Sequence, residues 1–427
     1  MSGHSDAVER GFSSCVHCGL CLEHCPTYVT LGLEMDSPRG RIVIMKGVIE
    51  GRIDATESAD RHVDLCLGCR ACETACPSGV PYGELLESFR ASRRPARRRR
   101  WTDRMLDYLI FHVFPDARRL RRCIGLGRLV RDFGIEQAMH EIGWQRLLPA
   151  WLLKLTEMLP DEEDRDTEPL RPEHVATLSR GGDAASLFTG CIGEAVFAHV
   201  NRATIRVLNR CGVSVHCPAA QVCCGAIHAH GGRIDDARRL ARHNIDVFDA
   251  NGATPIVCSV AGCGAMLKQY GQLLAGDPHY AERARRFASR VRDVSEFIAT
   301  RPLTLRLRSI NATVTYHDPC HLCHAQGIRA EPRALLRAIP GLNLIELPES
   351  EMCCGAAGTY NLTELAMAER LAERKVDYIR GTGATVVATG NAGCQLQIAA
   401  ALRRRGLAVQ VVHPVELLDR ASAPPGG

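Results

Sequence analysis

The sequence predicts an α+β multidomain chain: a helical, cysteine-rich N-terminal domain, a helical connector and two pseudo-repeated α/β lobes. Three observations predict it. A C-x2-C-x2-C-x3-C-P run appears at residues 15–26 and again at 66–77. An arginine- and tryptophan-rich stretch follows the second run, and from residue 185 onward the chain repeats itself around matched cysteines. The expected divisions are 1–90, 91–180, 181–305 and 306–427.

At 427 residues the chain is long enough for several separate cores. Its 21 cysteines need an explanation, and the odd number means that they cannot all pair within one chain. The opening "MSGHSDAVERGFSS" is polar and lacks the apolar segment of an export signal. A cytoplasmic location is therefore expected, where stable disulfides are disfavoured and thiols serve metals or catalysis. No apolar run approaches the roughly 18 residues of a membrane-spanning helix. "LIFHVF" is the longest candidate.

The first domain rests on the two runs. Their spacing is that of bacterial [4Fe-4S] ferredoxins, in which three close thiolates grip one face of a cube and the fourth cysteine of each run reaches the other cluster. The predicted sets are Cys15, Cys18, Cys21 and Cys76 for one cluster, and Cys66, Cys69, Cys72 and Cys25 for the other. Structural zinc is the alternative, although zinc sites use C-x2-C pairs and not triplets. Pro26 and Pro77 close the runs as supports, and His17 and His24 read as solvent-facing or hydrogen-bonding side chains. Between the runs, Pro38 and the spacing of Ile42, Met45 and Ile49 predict a helix.

The connector carries fourteen arginines against three aspartates between Arg90 and Arg131, and the three tryptophans Trp101, Trp144 and Trp151 lie in or just beyond this stretch. Short apolar helical stretches alternate with the arginines, and a polar linker, "LPDEEDRDTEPLRPEH", closes it. Three readings stay open for residues 90–160: a peripheral surface for anionic lipid, a linker packed on the domains or on a partner, and non-specific attraction to nucleic-acid phosphate. No specific nucleic-acid partner is expected.

The repeat defines the lobes. Copy one runs from "SLFTGC" through Cys223-Cys224-Gly225 to "GATPIVCSVAGC"; copy two runs from "TVTYHDPC" through Cys353-Cys354-Gly355 to "GATVVATGNAGC". The intervals between the first cysteine and the pair are 32 and 33 residues, and those from the pair to the last cysteine 39 and 40. Apolar runs ahead of the first and last cysteines predict buried parallel strands, with a helix between them marked by Leu365, Ala368, Ala372, Val376 and Ile379. Each lobe thus offers four thiols, Cys191, Cys223, Cys224 and Cys263 or Cys320, Cys353, Cys354 and Cys394, enough for one or two further iron-sulfur clusters. Adjacent cysteines diverge on extended backbone, so the glycine after each pair is expected to turn both inward. The competing reading is packing, since free cysteine behaves as a small apolar residue in cores. Packing is the reading taken for Cys123, Cys211, Cys217 and Cys258. Cys323 stays open, with His317, His321 and His324 around it as a candidate zinc set; His228, His230 and His413 read as hydrogen-bonded or exposed.

No phosphate-binding loop and no dinucleotide fingerprint occurs, so no catalytic residue is assigned and substrate chemistry is expected on a partner. A brown iron-sulfur relay and a colourless zinc-bearing interaction scaffold are the two classes that remain. Over nearly its whole length the sequence resembles the iron-sulfur subunit of glycolate oxidase, through "CVHCGLCLEHCPTYVTLGLEMDSPRGRI", "CLGCRACETACPSGV", "CCGAIHAHGG", "AGCGAMLKQYG", "CCGAAGTYNLT" and "NAGCQLQ". Wider relatives with this layout include the small subunit of anaerobic glycerol-3-phosphate dehydrogenase and the catalytic subunits of heterodisulfide reductase. The resemblance implies an electron-transfer subunit whose FAD-binding partner subunits oxidise glycolate to glyoxylate, with membrane quinone as the acceptor. The equivalent subunit of a glycerol-3-phosphate or D-lactate dehydrogenase is the runner-up. In heterodisulfide reductases five thiolates per lobe hold an unusual cluster. Here Val260 and Asn391 replace the fifth, so disulfide reduction is not expected.

Overall fold

The computed structural model describes residues 11–94, 101–133, 148–159, 173–174, 183–250, 252–301 and 305–422. The arginine run at 95–100, Trp144 and most of the acidic linker lie outside the described residues.

Residues 11–94 form helices and turns with no strand among them. The expected helix spans Pro38–Ile49, with proline in its first turn and the Ser37 hydroxyl accepting from the Gly40 amide at 3.0 Å. Ile42 and Met45 are buried, each contributing roughly 1.5–3 kcal/mol. They pack with Val63, Leu85 and Phe89 of the neighbouring helices Glu57–Asp64 and Tyr82–Arg93. The joining segment is therefore helical, as its periodicity predicts.

In the described residues the connector is helical too, over Trp101–Tyr108, Leu109–Val113, Ala117–Asp132 and Ala150–Glu157. It packs against both lobes. Ile110, Phe111 and Trp151 join Leu362 of the second lobe and Ile227 of the first in one apolar cluster. Arg94 and Arg233 stack on the Phe111 ring, 4.6 and 5.0 Å from its centroid. Trp101, Leu126 and Phe133 remain exposed.

Among the described residues the lobes hold nine strands: β1 (Glu173–His174), β2 (Ala184–Phe188), β3 (Ser214–His216), β4 (Ile256–Cys258), β5 (Val291–Asp293), β6 (Ala312–Tyr316), β7 (Leu342–Glu346), β8 (Val386–Ala388) and β9 (Gln410–Val412). The sheet orders are β1-β3-β2-β4-β5 and β7-β6-β8-β9. All pairs are parallel except the short edge strand β1, which runs antiparallel to β3. Without β1 the orders coincide, so the sequence repeat is a repeat of topology. In each lobe the chain leaves the first strand in one direction and returns on its other side, which creates a switch point between β2 and β4, and between β6 and β8. The CCG glycines have φ of 89° and 88°. Each backs onto a helix, Gly225 on Ala237 of Ile234–Asp249 and Gly355 on Ala368 of Leu365–Thr382.

The lobes meet across their cysteine-bearing ends, through the segments that follow β4 and β8. The Ala261 amide donates to the Gly390 carbonyl at 3.1 Å and the Gly262 amide to Asn391 Oδ1 at 3.2 Å. The fully buried His413 donates from Nε2 to the Ser259 carbonyl at 2.9 Å and accepts from the Val415 amide on Nδ1 at 3.1 Å. The terminal helix Pro414–Ser422 is tied back to lobe one by Asp419, which pairs with Arg206 and Arg210.

Two outcomes follow from these contacts. An alanine Cβ at Gly355 would lie 2.6 Å from the Ala368 carbonyl oxygen, whereas at Gly225 it would lie 3.3 Å from Ala237 Cα. Gly355→Ala should therefore cost roughly 3 kcal/mol or more and Gly225→Ala about 1–2, compared by denaturant unfolding. Burial pushes the His413 imidazole down to about 4 from 6.5. The unfolded chain takes up that proton first as the pH falls. Its contribution, on the order of 3 kcal/mol, is thus complete above pH 6.5 and lost between 6.5 and 4. His413→Gln should flatten the pH dependence of stability between about 7 and 5.5.

Candidate metal centres

The two N-terminal runs share a backbone device. His17 and Gly19 are left-handed on either side of Cys18, and Gly68 and Arg70 on either side of Cys69. Such alternation curls the backbone into a shallow cup around the middle cysteine of each triplet. Each run has one non-glycine residue in this conformation, at a cost of about 1 kcal/mol.

Cys25 leaves its own run and joins the second. A small cavity of about 20 Å3 is lined by Cys25, Cys66, Cys69 and Cys72, with Arg41, Leu67, Arg70 and Tyr82 among its other walls. Arg41 is 1% exposed. Its guanidinium donates to the His62 carbonyl at 2.6 Å and to Thr27 Oγ1 at 3.0 Å, and lies 3.9 Å from Cys25 Sγ. Asp36 is its carboxylate partner at 3.6 Å. The Tyr82 hydroxyl and the Gly68 amide both donate to Cys66 Sγ, at 3.7 and 3.4 Å. Four converging thiols ringed by a buried cation and N–H and O–H donors fit an anionic thiolate-ligated cluster, because every donor stabilises charge on sulfur. Burial holds the Cys69 and Cys72 thiols well above their ordinary value, and Cys21 up to about 11. Metal binding there releases protons.

Cys15 and Cys76 lie partly buried on the N-terminal core, while Cys18 is exposed. Around that end Val16 and Leu20 are 68% and 59% exposed. His17 and His24 are both exposed, as expected. The opposite end of the domain is covered. Cys69, Leu65, Leu67 and Ala71 share an apolar cluster with Cys320, Cys353 and Tyr360 of the second lobe, and the Tyr360 hydroxyl donates to the Leu65 carbonyl at 2.9 Å. Sequence reasoning gave no hint of this junction, which joins residues some 250 positions apart.

All eight lobe cysteines line one cavity of about 230 Å3 between the lobes. Cys191 and Cys263 follow β2 and β4, and Cys320 and Cys394 follow β6 and β8, so each set sits at the carboxyl ends of the strands flanking the switch point. The CCG turns bring the adjacent pairs in, and all eight are buried. Cys191 Sγ lies 3.6 Å from Cys223 Sγ. Contacts from Cys191 and Cys224 hold the Cys223 thiol well below its ordinary value, and contacts from Cys353 and Cys394 do the same for Cys354. Contact with Cys353 holds Cys320 low as well, so crowding favours one thiolate in the first lobe and two in the second.

The lobes differ in what surrounds the thiols. Phe188 ends β2, but His317 stands at the matching position after β6. Asn391 bridges the lobes, accepting from Gly262 and donating to Cys394 Sγ at 3.3 Å, while Val260 is a buried apolar residue. The three histidines grouped around Cys323 by the sequence separate in space. His317 goes with Cys354 and Cys394, His324 with Cys323 and Glu351, and His321 faces His230 at 5.4 Å between ring centroids. His230 bonds Glu87 and His228 bonds the Phe111 carbonyl, in line with structural roles. Cys217 and Cys258 are packed in the core as expected; Cys123 is exposed and Cys211 only partly covered, so packing does not account for Cys123.

Comparison with known proteins agrees with this layout. A 4Fe-4S dicluster domain model matches residues 11–80, and a Cysteine-rich domain model matches residues 185–268 and 314–399. The model "Glycolate oxidase iron-sulfur subunit, linker region" matches residues 102–159. The probable glycolate oxidase iron-sulfur subunit of Bacillus subtilis is 36% identical, covering 96% of this chain and 94% of that protein. The glycolate oxidase iron-sulfur subunit of Escherichia coli is 34% identical over 98% and 95%. A fumarate reductase (CoM/CoB) subunit of Methanothermobacter marburgensis is 29% identical over 95% of this chain and 72% of that protein. With its dicluster domain, connector and paired cysteine-rich lobes all matched, the chain belongs to the family of glycolate oxidase iron-sulfur subunits.

Proposed function

We propose that this chain is the electron-transfer subunit of a flavin-dependent glycolate oxidase complex, receiving electrons from FAD-binding partner subunits and delivering them to membrane quinone. The observation that carries this reading is the convergence of Cys25 with Cys66, Cys69 and Cys72, directly against Cys320 and Cys353 of the second lobe. In the proposed assignment these four hold one [4Fe-4S] cluster, and Cys15, Cys18, Cys21 and Cys76 hold the other. Bound there, such clusters supply one-electron transfer without proton chemistry.

The protein's own part is to orient and shield. Arg41 offsets thiolate charge from inside, and the apolar wall shared with Tyr360 keeps water from the inner site. The exposed side of the domain, with Cys18, Val16 and Leu20, is the proposed docking end for the flavoprotein. The first lobe's four thiols are the candidate ligands of a further cluster. No helix among the described residues is long and apolar enough to cross a membrane. The proposed location is the cytoplasmic face of the membrane, touched peripherally through residues 90–160.

Anaerobically purified protein should contain about eight irons in the N-terminal domain, and Cys69→Ala should lose about four and abolish transfer from the flavoprotein. Cys25→Ala should remove the same EPR signal as Cys69→Ala. If it instead removed the signal lost in Cys21→Ala, the crossed ligation would be wrong, and full turnover in Cys69→Ala would defeat the relay. The assembled complex should float with anionic vesicles at low salt and be released as salt rises; a complex wholly soluble at low salt removes the membrane contact.

A further inference from the structure

His317 directly follows β6, just ahead of the turn that presents Cys320. Its backbone is locked, the amide donating to the Ala388 carbonyl at 3.0 Å. The next residue, Asp318, is clamped by both terminal nitrogens of Arg333 at 2.7 Å. The His317 side chain is 0% exposed, and neither ring nitrogen has a hydrogen-bond partner. A buried imidazole left in that state costs about 1–3 kcal/mol per orphaned polar atom. A ring nitrogen of His317 and the sulfurs of Cys354 and Cys394 all lie within 4.8 Å of one another.

We propose that His317 is a metal ligand, and that with Cys354 and Cys394 it makes the second lobe a mixed imidazole–thiolate site for a single zinc-class divalent ion. The spacing suits one ion. Donors about 2.0–2.3 Å from a tetrahedral centre stand roughly 3.3–3.8 Å apart, so groups already within 4.8 Å of one another need close by only about 1 Å to share one ion. Cys320 or Cys353 supplies the fourth donor. Lys375, 2% exposed, donates to the Glu349 carbonyl; burial lowers its pKa, and the nearby Cys354, Cys353 and Cys394 sulfurs act the other way, to keep it charged. The first lobe cannot do the same, because Phe188 occupies the matching place and Asn244 the place of Lys375. The first lobe's own buried histidine, His228, lies beside Cys223 on the far side of the CCG turn and is engaged through Nε2 with the Phe111 carbonyl. This inference rests on reading the lobes as metal sites and is independent of the electron-transfer reading.

The test is zinc and iron content of the full chain purified anaerobically, with zinc-edge X-ray absorption on the same sample. About one zinc per chain with nitrogen and sulfur in its first shell is expected. His317→Phe, which copies the first lobe, should lower zinc at least about tenfold while leaving the N-terminal iron unchanged, and His317→Cys should restore it. Wild-type protein lacking zinc, an all-sulfur zinc shell, or undiminished zinc in His317→Phe would each overturn the proposal. The wild-type measurements decide even if a variant fails to fold. Loss of turnover with intact zinc would instead count against the relay alone.

Discussion

Bringing thiols together away from water is the constraint on which the rest of this structure depends. A buried thiolate is unfavourable unless a cation, a donor or a metal faces it. Every element around the cysteines can be understood as meeting that requirement. Around Cys25 and Cys66 the buried Arg41, the Tyr82 hydroxyl and the Gly68 amide point at sulfur. In the lobes the requirement is met by topology, since the carboxyl ends of parallel strands at a switch point leave a crevice lined by backbone turns. The CCG glycines make those turns tight enough for two neighbouring cysteines to enter the same crevice.

The repeat shows how one skeleton serves two different sites. Strand order, the helix behind the CCG turn and the positions of four cysteines are shared. The side chains that touch the thiols are not. Phe188 is matched by His317, Val260 by Asn391 and Asn244 by Lys375. Each exchange adds polarity to the second lobe, the one whose Cys320 and Cys353 abut the N-terminal domain. Asn391 also shows why a lost cysteine need not be a lost function: its amide ties the lobes together and donates to Cys394.

Much of this was legible in the sequence because the cysteine triplets, the CCG turns and the Pro38 helix are local patterns whose spacing dictates their geometry. The strand and helix pattern of the lobes was legible for a second reason, that two copies made the same statement. What was not legible depends on tertiary distance. Nothing near Cys69 announces Cys320, and nothing near His317 announces Cys354 or Cys394. For His317 a signal did exist, since aligning the two copies sets a histidine against Phe188, but only the fold gives that difference a meaning. The exposure of Cys123 is likewise a matter of helix rotation that composition does not record.

The two ends of the N-terminal domain differ in a way that gives the molecule a direction. At one end Cys69 is fully covered, its thiol pushed up by burial and by Cys320. At the other, Cys18 meets solvent beside exposed Val16 and Leu20. An electron carrier needs one site open to a partner and one shielded from solvent, because a partner must approach closely while water must not reach the inner site. A zinc-bearing scaffold has no such need and would be served equally well by two covered sites. The asymmetry of burial, together with the curl of the two triplets, is therefore the feature that favours relay over scaffold.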